Sequence, residues 1–297
     1  MKIFRKEEKF NGRVHLYVFG FKVFSYKKVV IATDFTQEQL VDIDIAKYRG
    51  LIRNKDSIHT IILGSSHARN GFLPIDGEFN LGLSSQDLYR SYHLYKWIVK
   101  HRFHLKNIVL FYSVFHPGLQ LEKTKEAWKC IPYKYLYNIP YAYRLPKHLQ
   151  NMKREMKIYC KSANINVSSA YKGEYSYEEI TDFATLTAKE LVEKHLKNNR
   201  RNNHQNKYLV KMIKLAHKSN HNMYIVTPPY RQDYLDCLPD YNEVNKELLN
   251  IINMFPDVKI LNFQNDEDFE DDDFKDSDHL NKKGGIKLSA KIRERMS

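Results

Sequence analysis

Residues 58–72 read IHTIILGSSHARNGF. An apolar run stops at Gly64, and two serines, a histidine and an arginine follow closely. Continuous Ile/Leu runs without polar alternation mark strands covered on both faces, as in parallel sheets. Four further stretches share the pattern: EFNLGLSS (78–85), NIVLFYSVF (107–115), NMYIVTPP (222–229) and VKILNFQ (258–264). Most are followed by apolar residues at helical spacing. Leu88, Tyr92, Tyr95 and Ile98 or Val99 form one stripe, and Leu209, Met212, Ile213 and Ala216 a second. Val244, Leu248, Ile251 and Ile252 form a third, and a last helix is expected after HLNKKGG (279–285). Strand–helix alternation of this kind predicts an α/β fold: a doubly wound, mostly parallel five-stranded sheet with right-handed crossovers.

Two regions fall outside the repeat. Residues 118–205, rich in Tyr, Lys and Asn and containing Pro132, Pro140 and Pro146, read as a cap-like insertion of helices and loops. RVHLYVFGFKVFSYKK (13–28) reads as an aromatic-rich β-hairpin turning near Gly20. The expected organisation is therefore an N-terminal hairpin and lead-in over 1–50, then an α/β domain over 51–297 that carries the insertion.

Composition narrows the setting. No apolar stretch approaches the ~20 residues a membrane-spanning helix needs. The N-terminus lacks the apolar core and small-residue cleavage site of a signal peptide. Cys130, Cys160 and Cys237 are scattered without CxxC spacing, which argues against a disulfide framework or a structural zinc. These features lead to an expected cytoplasmic location, extending to the inner membrane surface, with no metal.

Charge is unevenly placed. The chain carries +13, but Asp266–Asp278 (DEDFEDDDFKDSD) carries −8, which leaves +21 on the remainder. Such a field favours an anionic partner. The densest basic runs, KHLQNMKREMK (147–157) and EKHLKNNRRNNHQNK (193–207), lack the signatures of nucleic-acid modules. They read as solvated helix faces, and nucleic acid is not the expected partner. The acidic run 266–273 lacks the ordered ligands and glycine of a calcium loop and reads as a solvated loop.

In an α/β sheet, ligands bind beyond the carboxyl ends of the strands. The residues there are Gly64, Ser65, Ser66, His67 and Arg69; Asn80, Gly82, Ser84 and Ser85; Ser113 and His116; Thr227, Tyr230 and Arg231; and Asp276, Asp278 and His279. A serine, a histidine and an acid converging on one rim are the minimum for nucleophilic acyl transfer.

Gly-Ser-Ser early, Asn-Leu-Gly soon after, and Asp-x-x-His before the last helix together resemble the SGNH (GDSL-like) hydrolase and acyltransferase superfamily. More narrowly, GSSHARNGF with FKDSDHLNKKGG, and the opening LYVFGFKVFSYKK, resemble members found among bacterial surface-polysaccharide biosynthesis proteins. The match covers four short blocks and most of the core, not the insertion. It implies an SGNH/flavodoxin-like fold with Ser66 as nucleophile, His279 as base and Asp276 as the acid orienting it. Asp278 is the competing acid, at the wrong offset for the family. Gly82 and Ser66 would lend backbone N–H groups to an oxyanion hole. The family's Gly-x-Asn-Asp block is replaced by Phe111-Tyr112-Ser113-Val114-Phe115-His116, so Ser113 or His116 would stand in for the Asn donor. His67, Arg69 and Tyr230 are candidates either for binding an acidic substrate group or for packing.

The implied activity is ester chemistry on an O-acyl group of a surface glycan or its precursor, as O-acetyltransferase or acetylesterase. No bound cofactor is implied, and acetyl-CoA or another acyl donor would serve as co-substrate. The implied partners are a carbohydrate, in particular an anionic glycan, and peripheral association with a membrane. The competing expectation is a non-catalytic scaffold that binds such a glycan or the assembly machinery.

Overall fold

The computed structural model describes residues 4–8, 13–19, 21–27, 37–174, 186–197, 199 and 204–297. Gly20 and part of the 193–207 run lie outside them. The chain divides into two compact units. One holds the described residues up to Arg49 together with Glu122–Val167, and the other holds Gly50–Leu121 and Ser168–Ser297.

In the first unit, β1 (Phe4–Glu8), β2 (Arg13–Val18) and β3 (Phe21–Lys27) form an antiparallel sheet in that order. The β2–β3 pair is the expected hairpin. The third strand hid in FRKEE, whose charges mask any apolar signal. The expected lead-in is helical: α1 (Gln37–Arg53) buries Val41 and Ile45 in this unit. It also buries Asp44, whose carboxyl burial lifts to about 7 against the pull of Lys129 and Lys47.

The second unit holds a five-stranded parallel sheet of β4 (Thr60–Leu63), β5 (Glu78–Asn80), β6 (Asn107–Phe111), β7 (Asn222–Thr227) and β8 (Lys259–Asn262). Its order is β5-β4-β6-β7-β8, and every neighbouring pair is parallel. The first two helices are α2 (Ser66–Gly71) after β4 and α3 (Leu88–Lys100) after β5. Asp87 caps α3 by accepting from Arg90 N–H at 2.9 Å. The insertion contributes α4 (Cys130–Leu136), α5 (Gln150–Ser162) and α6 (Ala188–Lys197), the first two in the first unit and α6 in the second. As the 147–157 run led us to expect, α5 is largely solvated and buries only Met156 and Cys160.

α7 (Asn206–Ser219) ends on Asn220 in the left-handed conformation (φ 56°) and turns into β7. After β7 come α8 (Gln232–Leu235), α9 (Tyr241–Val244) and α10 (Lys246–Ile252). The expected single helix over this third stripe is broken at Asn245, whose Nδ2 donates to Tyr241 O and to Gln264 Oε1. The last helix, α11 (Lys282–Met296), begins inside HLNKKGG, where Asn281 caps it through Gly284 N–H at 3.1 Å.

Strand alternation builds the core. Ile62, Val109, Phe111, Tyr224, Val226 and Leu261 point to one face and pack with Ala68 and Phe72 of the α2 segment and Leu288 and Ile292 of α11. Ile61, Ile108, Leu110 and Ile225 alternate to the other face and are fully buried. Among the described residues, no helix is long and apolar enough to cross a membrane.

The acidic run is not simply solvated. Lys283, Lys287 and Lys291, one helical turn apart on α11, meet Asp272, Asp273 and the Asp266/Asp268 pair respectively.

Two constraints fix the end of β4. Gly64 has φ 132°, and a Cβ there would stand 2.8 Å from Phe111 O. Both the backbone conformation and the neighbouring strand therefore require glycine. We expect Gly64→Ala to lower unfolding free energy by at least about 2 kcal/mol, read from urea unfolding followed by circular dichroism.

Candidate active site

The strand order reverses between β4 and β6, and the crevice at such a switch point is where open α/β sheets place their ligands. Ser66 leaves β4 on one side of it and Ser113 leaves β6 on the other. From Thr60 to Phe72 every residue is buried except Ser66. The turn therefore presents one hydroxyl to solvent and hides the other: Ser65 is fully buried. That answers why an apolar strand ends in two serines.

The histidine arrives from 213 residues away. His279 Nε2 lies 2.7 Å from Ser66 Oγ. Its Nδ1 lies 3.0 Å from both oxygens of Asp276 and 3.1 Å from Asp278 Oδ1. The loop holding these groups is closed by a bridge between Phe274 and Leu280 and by Lys275 N–H donating to His279 O. Asp276 Oδ1 also accepts the backbone N–H groups of Asp278 (3.0 Å) and His279 (2.7 Å), an Asx-type turn that folds both carboxylates back onto one imidazole. Arg231 ties the loop to the end of β7: its N–H donates to Ser277 O and its guanidinium to Ser277 Oγ and Asp233.

His67 lies behind Ser66, His279 and Asp276 and is 4 % exposed. Its Nδ1 is 2.7 Å from Ser113 Oγ and 3.3 Å from Ser65 Oγ, and its Nε2 faces Asp278 Oδ2 at 3.4 Å. Its partners assign the proton to Nε2. Tyr230, also buried, meets the His67 ring edge-on at 5.5 Å and accepts from Val114 N–H. Arg69 is buried and donates to Asn70 Oδ1. His67, Arg69 and Tyr230 thus sit in the wall of the site.

Three of the anticipated oxyanion donors are held in internal hydrogen bonds. Gly82 N–H donates to Asn80 Oδ1 at 2.8 Å, and the close packing of Gly82 on α2 leaves no room for a Cβ, which would stand 2.7 Å from Ala68 Cβ. Asn80 Nδ2 donates to Ala68 O and Phe72 O, so this asparagine fixes α2 relative to β5. Ser113 N–H donates to His116 Nδ1, and His116 Nε2 points at Gln86 O. Gln86 in turn accepts from Gly64 N–H and donates to Leu81 O.

The site also draws in His195 of α6, whose Nδ1 is 2.7 Å from Tyr234 O–H and 4.0 Å from Asp278 Oδ2. Sequence reading passed over His195, although it lies on the apolar stripe of α6 with Leu191 and Val192. His67, Asp278 and His279 bring donor types suited to a divalent metal within 4.8 Å of one another. Their atoms face each other at hydrogen-bond spacing, however, and every ring nitrogen of the two histidines lies against a protein oxygen.

Electrostatics separate the four histidines. Burial lowers His67, and the carboxylate of Asp278 only partly restores it. Burial takes His116 down to about 3 and His195 to about 4. Burial also penalises the His279 cation, but Asp278 and Asp276 outweigh it and raise this imidazole to about 10. Asp278 is pushed up by burial, yet His279 and His67 hold it well below the usual carboxylate range.

No family model matches this chain, and no curated protein matches it significantly. Among solved structures it is similar to one described as "a putative lipolytic protein of G-D-S-L family from Desulfitobacterium hafniense DCB-2". That similarity has 9% identity and a TM-score of 0.36, and it covers 80% of this chain and 98% of the other.

Imidazole ¹⁵N spectra at pH 7 should show His279 charged and His67, His116 and His195 neutral. Raising the pH should discharge His279 with a midpoint of about 10.

Proposed function

We propose that the chain performs serine-dependent O-acyl ester chemistry through an acyl-Ser66 intermediate. The observation that carries this reading is the 2.7 Å contact between Ser66 Oγ and His279 Nε2, with Asp276 on the opposite nitrogen of the same ring. In the proposed reaction, Ser66 Oγ attacks the acyl carbonyl and its proton passes to His279 Nε2. The tetrahedral oxyanion collapses, and the leaving oxygen or sulfur takes that proton. Water or a sugar hydroxyl then attacks acyl-Ser66 and gives its proton to His279, and the second tetrahedral intermediate expels Ser66 Oγ, which takes that proton back. The Ser66 N–H is the first candidate to hold the oxyanion. Gly82 N–H could join it only by letting go of Asn80.

The acceptor and donor follow from the resemblance of GSSHARNGF and FKDSDHLNKKGG. We infer a surface polysaccharide or its precursor as the carbohydrate, and O-acetyl transfer or its hydrolysis as the reaction. Acetyl-CoA or a similar thioester would supply the acyl group in transfer. The basic excess outside the acidic run suits an anionic glycan or an anionic membrane surface.

One observation favours a second reading, a non-catalytic scaffold binding such a glycan. Gly82, Ser113 and His116 all spend the groups expected of oxyanion donors on internal hydrogen bonds.

A fluorophosphonate probe separates the two. We expect one adduct by intact mass, abolished by Ser66→Ala and by His279→Ala. Asp276→Asn should slow labelling at least tenfold, yet by less than the ~10⁴ lost where a single acid orients the histidine. Chelation with EDTA should leave the rate unchanged. No adduct on a folded protein would sink the ester reading in favour of the scaffold.

A further inference from the structure

His279 touches two carboxylates on the same nitrogen, and only Asp276 has the spacing expected for a serine triad. Asp278 is 2 % exposed and bridges two rings, with Oδ1 3.1 Å from His279 Nδ1 and Oδ2 3.4 Å from His67 Nε2. The two imidazoles are stacked, with centroids 5.0 Å apart and planes 14° apart. His67 is fixed at its other nitrogen by Ser113 Oγ, which stands at the end of β6. The contacts close a ring: Ser66 to His279, His279 to Asp278, Asp278 to His67, and His67 back to Ser66 through the peptide bond.

Building on the serine-ester reading, we propose that Asp278, held by His67, is a second positioning carboxylate for His279, so that Ser65-Ser66-His67 sets both nucleophile and base. Asp276 divides its oxygens, Oδ1 taking two N–H groups of its own turn as well as facing the ring and Oδ2 facing the ring alone. Asp278 has no such duty. A buried carboxylate needs a compensating charge. Neutral His67 brings no charge, and its Nε2 faces Asp278 at 3.4 Å without a formed hydrogen bond, so the compensating charge is the His279 imidazolium. In the unprotonated form that accepts the Ser66 proton, transfer restores that charge, and a second carboxylate beside it makes His279 a stronger base. The same arrangement makes neutral His279 scarce at pH 7, which places the working limb of the pH profile on the alkaline side.

The other titratable groups facing this pair are known. His195 of α6 approaches Asp278, and the Asp278 charge helps keep the buried Tyr230 and Tyr234 hydroxyls protonated. His116 lies beyond His67, and Arg231 faces Asp276. None of them replaces Asp278 at His279 Nδ1.

The test compares wild type with Asp278→Asn, using the pH dependence of fluorophosphonate labelling and the ¹⁵N titration of His279 in the unlabelled protein. We expect Asp278→Asn to move both midpoints down by at least one pH unit, towards the ordinary histidine value of about 6.5, and to cut the limiting alkaline rate at least tenfold. A uniform loss of rate with unmoved midpoints would mean a merely structural role and would overturn the proposal. If wild type takes no label, the ester reading fails, yet the His279 titration still decides the positioning role. If Asp278→Asn does not fold, the wild-type spectrum decides. A His67 Nε2–H tautomer whose ¹⁵N shift follows the His279 midpoint supports the proposal. An Nδ1–H tautomer, or a His67 signal blind to that midpoint, overturns it.

Discussion

Where β4 ends, its backbone runs so close to Phe111 of β6 that no side chain fits between them. That approach forces the chain into a conformation favourable only to glycine, and the turn it creates sends the next two side chains in opposite directions. Ser65 goes inward to meet His67 and Ser113, and Ser66 goes outward. Gln86 then grips Gly64 from below through its side chain while its carbonyl steadies His116. The floor of the crevice is thus built on buried hydrogen bonds among Ser65, Ser113, His67, His116, Gln86 and Gly64. A floor of this kind fixes where the Ser66 hydroxyl stands relative to the His279 ring.

Charge is managed in two ways. Around the crevice, burial removes the cations of three histidines and two aspartates concentrate the remaining one on His279. On the outside of α11, a ladder of lysines one turn apart is matched by the acidic run that precedes the histidine loop. Arg293 adds a bidentate pair with Glu78 at 2.9 and 2.8 Å, tying the same helix to the edge strand. The loop delivering Asp276, Asp278 and His279 is therefore held on both flanks by elements whose own positions are charge-matched.

Much of this is legible in the chain. Unbroken apolar runs located all five parallel strands, and the blocks after the first and last of them contain the serine and histidine that meet at 2.7 Å. The misses have physical causes. FRKEE pairs with β2, but its four charged residues leave no apolar signature in the sequence. Asn245 splits a helix because its side chain finds a partner 19 residues away, invisible to local periodicity. Offset reasoning set Asp276 against Asp278 as rivals, whereas the turn between them brings both to one nitrogen. His195 reaches the site only because α6 folds against the end of β6, where Phe115 meets its ring at 4.8 Å.

The separation of 213 residues between Ser66 and His279 has a consequence for how the protein comes into being. The Ser66 hydroxyl is made early, but the imidazole it meets comes after all five strands of the parallel sheet, and nothing local brings them together. During synthesis, domains assemble from the N-terminal side as chain emerges. Until the last strand and the loop after it are in place, Ser66 has no imidazole beside it. The 2.7 Å contact between the two is thus a report on a completed sheet.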